Sequence, residues 1–248
     1  MTYCLALRLD EGLVFLADTR TNAGIDNVGT YRKLHVLRPA PDRVFVIESA
    51  GNLATTQEVL DRLDHDVRTP GDHESLLTVS HLFQAALYLG RVSQSVVQAH
   101  RDALAFTGAD ATATFILGGQ ILPEPPDILL VYPEGNYIRA SDDAPFLQIG
   151  ESKYGKYLLD VAVTAKTDVD TATKIALGSM MSTARANLGV GPPYDGAILR
   201  SDGLLDLVEF RVEADSPTLA QLHEMWERHL FNAVDDLPNV MPSEIDLG

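Results

Sequence analysis

Residues 13–17, Leu-Val-Phe-Leu-Ala, offer water no polar face. A strand of that kind has to be covered on both sides, so the chain must build layers above and below it. Just before it, YCLALRL (3–9) alternates Tyr3, Leu5, Leu7 and Leu9 with the smaller Cys4 and Ala6, which is strand periodicity, and Asp10-Glu11-Gly12 turns one run back on the other. With those three residues as the loop, Leu9 faces Leu13, Cys4 faces Asp18, and Thr2 lies two positions further along on the same side. Such cross-strand diagonals are about 7–8 Å apart between Cα atoms, so Thr2 and Asp18 share one end of the sheet.

The same reading continues along the chain. A loop rich in Thr, Asn and Gly runs to Thr30, and KLHVLR (33–38) and RVFVIES (43–49) form a second hairpin. Asn52 caps a helix whose stripe is Leu53, Leu60, Leu63 and Val67, and a second helical region covers about 75–105. Strands return at 111–119, 127–133, 137–140 and 146–150, followed by two helices, the second at about 168–188. AILRS and LLDLVEFRV flank a Ser201-Asp-Gly203 turn, and Ser216-Pro217 opens a last helix with Leu219, Leu222, Trp226 and Leu230 on its stripe. Short strand-to-strand links argue for antiparallel pairing, and helices arriving in pairs argue for outer layers on two stacked sheets. The fold expected is α+β, a four-layer αββα sandwich, with one domain over 1–236 and an extended tail over 237–248.

Composition narrows the partners. The 35 acidic against 19 basic residues give a formal charge of −16, which repels nucleic acid and anionic membranes. The single cysteine, Cys4, has no intramolecular partner, and no stretch has the makings of a signal or a membrane span, so a reducing cytoplasm is expected. Two motifs are decoys. GESKYGKY (150–157) fits a phosphate-binding loop except that Tyr157 replaces the hydroxyl that would hold Mg²⁺. His223 and His229 are six residues apart, which rotates them about 240° around a helix, away from a shared metal. No cofactor and no metal are expected.

Asp18 ends a wholly apolar strand, where an unpaired carboxylate is costly, and Lys33, which opens the next strand, is its evident partner. Thr2 becomes the first residue once Met1 is trimmed. Its hydroxyl is then a nucleophile carrying its own base, the α-amine, with a reference pKa of roughly 7.7–8.0. A lysine ammonium nearby favours the neutral amine and stabilises negative charge as the hydroxyl attacks a carbonyl. Spacing alone leaves a second reading open, in which Thr2 is an ordinary terminal residue and Asp18 and Lys33 an ordinary ion pair.

MTYCLALRLDEGLVFLADTR, YRKLHV and SAGNLATT together resemble the start of a proteasome β-type subunit, and most closely the bacterial Anbu, or ancestral β-subunit, branch. The resemblance implies a threonine-type N-terminal-nucleophile peptidase with Thr2 as nucleophile, Asp18 and Lys33 as its charge partners, and the Gly51 backbone N–H as oxyanion hole. Arg20 matches the arginine of the family's A-D-[ST]-R motif and takes a structural part. The family's Gly-Ser-Gly stretch corresponds to 149–153, with either Glu151 or Ser152 in the serine's role, and its Asp-x-x-Ser-Gly segment falls near 192–196, with Asp195 where serine is usual. Also implied are a peptide or small-amide substrate and self-assembly into a ring or helical stack; an unfoldase partner is left unidentified. Two alternatives stand beside this: a small-molecule amidase or acyltransferase using the same Thr2, and a catalytically silent assembly protein.

Overall fold

The computed structural model describes residues 1–22, 28–108, 110–201 and 206–238. The strand pair that opens the chain is the centre of the first sheet. β1 (Tyr3–Leu9) and β2 (Gly12–Asp18) are flanked by β10 (Phe146–Gly150) and by β11 (Tyr194–Arg200) and β12 (Val208–Val212), in the order β10-β1-β2-β11-β12. Every pairing is antiparallel. A second sheet runs β5-β6-β7-β8-β9, from Leu34–Ala40, Arg43–Gly51, Ala113–Ile121, Asp127–Val131 and Tyr137–Arg139. Between the sheets, Cys4, Ala6, Leu13, Phe15 and Ala17 of the first meet Val44, Val46, Ile116 and Ile128 of the second. The other face of the second sheet, with Phe45 and Ile47, is covered by α1 (Leu53–Arg68) and α2 (Leu82–Ala99) through Val59, Leu63, Ala85 and Leu89. On the far side, α4 (Lys153–Ala162) and α5 (Val169–Ala186) lie over β1 and β2, and Gly155 lets α4 come close enough that a Cβ there would sit 2.2 Å from Ser179 Oγ. The layers are αββα.

Three small elements complete the count of described ones in this part of the chain. β3 (Arg20–Asn22) pairs with β4 (Val28–Thr30) where the composition indicates only a loop, because three-residue strands carry no readable period. α3 (Arg101–Thr107) follows α2 after a break at His100. The chain forms two compact units, Met1–Val212 and Glu213–Gly248. Taken by itself, the second contains, among its described residues, α6 (Pro217–Asp235), with Ser216 at its N-cap and Pro217 in its first turn, and Leu230 and His229 on its surface are exposed. The tip of the hairpin expected at Ser201-Asp-Gly203 and the tail from 239 onward lie outside the described residues.

The first hairpin is one residue tighter than its sequence suggests. Leu9 pairs with Gly12 and Cys4 with Ala17, so the loop is Asp10-Glu11 and Tyr3, not Cys4, stands opposite Asp18. Gly12 is already a strand residue because it meets β11 on its other side: at φ 143° a Cβ would come 2.1 Å from the Leu199 carbonyl oxygen. α1 begins as expected. Asn52 Oδ1 accepts from Thr55 N at 3.2 Å while its Nδ2 donates to Asp110 O at 2.8 Å. Replacing Asn52 with Ala should cost about 1 kcal/mol, read as a lower urea midpoint with an unchanged slope.

One residue in the sandwich core breaks the apolar rule. Glu48 alternates with Val44, Val46 and Ala50 toward the space between the sheets, is fully buried, and neither carboxyl oxygen has a hydrogen-bond partner. Burial pushes its carboxyl well above the usual carboxylate range, against a weak pull from the Leu16 backbone amide.

Candidate active site

At the end of the first hairpin, Asp18 meets Lys33 from just before β5, and the two are the only cation and anion buried as a pair among the described residues. Asp18, with no exposed side-chain surface, accepts at Oδ1 from Lys33 Nζ (2.6 Å) and from Tyr3 N (2.9 Å), and at Oδ2 from Gly191 N (3.3 Å). Lys33 in turn has its three donors accounted for: Asp18, the Arg20 carbonyl at 2.7 Å and the Met1 carbonyl at 3.3 Å. That last oxygen belongs to the peptide bond leading into Thr2. Burial pushes the Asp18 carboxyl up, and the ammonium of Lys33 and the two backbone amides pull against it. The arrangement holds a lysine charge rigidly beside the N-terminal side of Thr2.

Thr2 itself is gripped through its backbone. Its carbonyl accepts from Glu151 N at 2.7 Å, and Gly150 lies so close that a Cβ there would be 2.0 Å from the same oxygen. Glu151 also reaches sideways, its Oε2 accepting from Asn187 Nδ2 at 2.9 Å and its Oε1 lying 3.7 Å from Lys153 Nζ. Ser152 instead opens α4, its carbonyl accepting from Lys156 N, so of the two neighbours Glu151 is the one bonded to Thr2. Gly51 ends β6 at φ 115°, a conformation and a space open only to glycine, since a Cβ would meet the Thr112 oxygen at 2.4 Å. Two residues earlier on that strand, Ser49 N donates to the Lys33 carbonyl at 3.0 Å, which couples the Gly51 strand to the lysine.

Arg20 works on the loop after α5: Nη1 donates to the carbonyls of Leu188 (2.9 Å) and Val190 (3.4 Å), and Gly191 leaves room for its guanidinium, 2.4 Å from where a Cβ would stand. Asp195 is drawn elsewhere. It is buried opposite Ala17, accepts from Arg211 Nη1 at 2.9 Å and lies 3.7 Å from Arg32 Nε. It therefore braces the sheet beside the ion pair rather than joining the bonds around Thr2.

No family model matches the chain, and no curated protein matches it either. Solved structures do. Anbu from Pseudomonas aeruginosa, solved as a helical assembly, superposes with a TM-score of 0.91 at 39% identity over 98% of this chain and 100% of its own. Anbu (ancestral beta-subunit) from Yersinia bercovieri gives 0.88 at 38% over 97% and 99%. Anbu from Hyphomicrobium sp. strain MC1 gives 0.84 at 41% over 96% and 99%. The chain belongs to the Anbu family.

Within this Anbu chain the sequence reading passed over Asn187, Gly189 and Gly191. The first holds Glu151, the second touches Met1 and the third donates to Asp18. Their signal was faint, a run of small residues after a helix. In the 150–157 motif Lys156 pairs with Asp160 one turn on at 2.6 Å and Tyr157 points to solvent; no cluster able to hold a metal occurs among the described residues. No helix among those residues is long and apolar enough to cross a membrane. A cavity of about 690 Å³ opens at the other end of β1, around Arg8, Asp10, His81, Glu124 and Asp127. Its charges largely satisfy one another, Arg8 with Asp142 at 2.7 Å and Asp127 with Arg139, so it does not compete with the buried pair as a reactive centre.

Proposed function

We propose that this chain is a threonine-type N-terminal-nucleophile hydrolase of the proteasome β type, cleaving amide bonds in peptides. The observation that carries the reading is the Lys33 ammonium, fixed by Asp18 and hydrogen-bonded to the carbonyl of the bond before Thr2. Opening that bond frees the Thr2 α-amine beside the lysine. The neutral amine takes the proton of Thr2 Oγ as the oxygen attacks the substrate carbonyl, and Lys33 favours both the neutral base and the developing negative charge. The oxyanion is received by the Gly51 backbone N–H. The proton then passes from the ammonium to the leaving amine, the C–N bond breaks, and an ester on Oγ remains. Water, deprotonated by the same amine, attacks the ester, and Oγ recovers its proton as the acid departs. Glu151 fixes the Thr2 backbone, Asp18 fixes Lys33, and Arg20 fixes the loop that carries Gly191. The helical assembly of the Pseudomonas relative supports self-association of this chain.

Intact mass and a threonine-directed epoxyketone test the reading. The mature protein should lack Met1 and gain one inhibitor mass on Thr2, and Thr2→Ala should abolish both the adduct and peptide hydrolysis, a loss of about 10⁴-fold or more. A mature protein with a free Thr2 that takes up no inhibitor and cleaves no peptide would favour a silent scaffold. Turnover of small amides but not peptides would make it an amidase.

A further inference from the structure

The residue before Thr2 sits against a built wall. The Met1 carbonyl is held by Lys33 at 3.3 Å, and its side chain lies on Gly189, where a Cβ would come 2.7 Å from Met1 Cβ and 2.8 Å from Met1 Cγ. Gly189 is not free to move aside. Its N–H donates to Asn187 Oδ1 at 2.9 Å, Asn187 Nδ2 donates to Glu151 at 2.9 Å, and Arg20 holds the carbonyls of Leu188 and Val190 on either side. A bare Cα on a pinned loop thus faces the space next to the Thr2 nitrogen.

In the acylation step the Thr2 ammonium hands its proton to the leaving amine, which must come within hydrogen-bond reach of the α-nitrogen. The residue released from the substrate therefore occupies the space beside that nitrogen, the space Met1 fills. We infer that the Gly189 wall is the leaving-group subsite, accepting the first residue of the released peptide and admitting a slender, unbranched side chain such as that of methionine. This rests on the hydrolase reading above. Gly189 is a specificity determinant: a methyl group added there narrows the site against any leaving residue with a Cβ and Cγ, and leaves glycine least affected.

The test uses full-length protein lacking Met1 and peptides that share the acyl side and differ only in the leaving residue, Gly, Met or Val. The parent should cleave ahead of Met better than ahead of Val. In Gly189→Ala, kcat/KM for the Met peptide should fall by about tenfold more than for the Gly peptide. The epoxyketone, which releases no amine, reports separately on the nucleophile and the fold. An unchanged Met-to-Gly ratio in a variant that still forms the adduct overturns the subsite and leaves the hydrolase intact. A flat profile across the three leaving residues in the parent does the same, even if Gly189→Ala does not fold. No adduct on the parent overturns the hydrolase reading itself.

Discussion

Lys33→Met should destabilise the protein by about 3–5 kcal/mol, because it strands the Asp18 carboxylate in a site with no exposed surface. The Tyr3 and Gly191 amides that remain are neutral donors and do not replace a cation 2.6 Å away. Urea denaturation of the parent and variant reads this directly. Under conditions where the variant is still folded, epoxyketone labelling of Thr2 should also disappear, since the base loses the charge that tunes it. The companion Lys33→Met/Asp18→Asn should recover much of the stability and none of the labelling, separating the structural from the chemical part of the pair. A single variant that unfolds at the parent's urea concentration would show that the ion pair is open to water in solution.

Glu48→Met should act in the opposite direction. The carboxyl is fully buried with both oxygens unpartnered, so filling the place with a thioether removes a desolvation cost of about 1–3 kcal/mol even where the acid is neutral. The pH dependence is sharper evidence. A carboxyl held protonated in the folded state and ionised in the unfolded one makes the folded state bind more protons. Stability is then full below the unfolded value of about pH 4.3 and falls by up to about 1.4 kcal/mol per pH unit above it, until the folded group also ionises. The titratable group of β1 on its side of the sandwich is the Cys4 thiol, which its negative charge would raise and which offers it no cation. Urea midpoints at pH 5, 6.5 and 8 should therefore diverge between parent and variant, with the gain largest at pH 8. Parallel curves would mean that Glu48 finds a partner or water between the sheets.

The layered fold was legible wherever one residue's chemistry left a single solution. An all-apolar strand demands cover on both faces, Asn52 before a helical stripe is a cap, and a carboxylate closing an apolar strand demands a cation, which led from Asp18 to Lys33. What stayed hidden depends on residues far away in the chain. Whether Gly12 belongs to the turn or the strand is decided by Leu199, which leaves room for no Cβ, and the whole register of the hairpin moves with it. Asn187, Gly189 and Gly191 act through backbone groups and the absence of side chains, and neither feature has a pattern in one dimension. Asp195 sits one residue from the strand position opposite Asp18, yet Arg211 and Arg32 claim it, a competition visible only once β12 is laid beside β11.

The sheet order also sets a timetable for biosynthesis. β1 and β2 leave the ribosome first and can pair at once, but the strand that closes over Thr2 on the other side comes about 145 residues later, and the turn that backs Met1 later still. At about 5–20 residues per second that is a delay of roughly 7–30 s, during which whatever precedes Thr2 hangs from a nascent hairpin within easy reach of a peptidase. In the finished molecule the same bond has its carbonyl held by Lys33 and its side chain lodged on Gly189. On the maturation proposed above, the bond before Thr2 is thus open to a peptidase from the moment the first hairpin emerges, before the strand that grips the Thr2 carbonyl has been made.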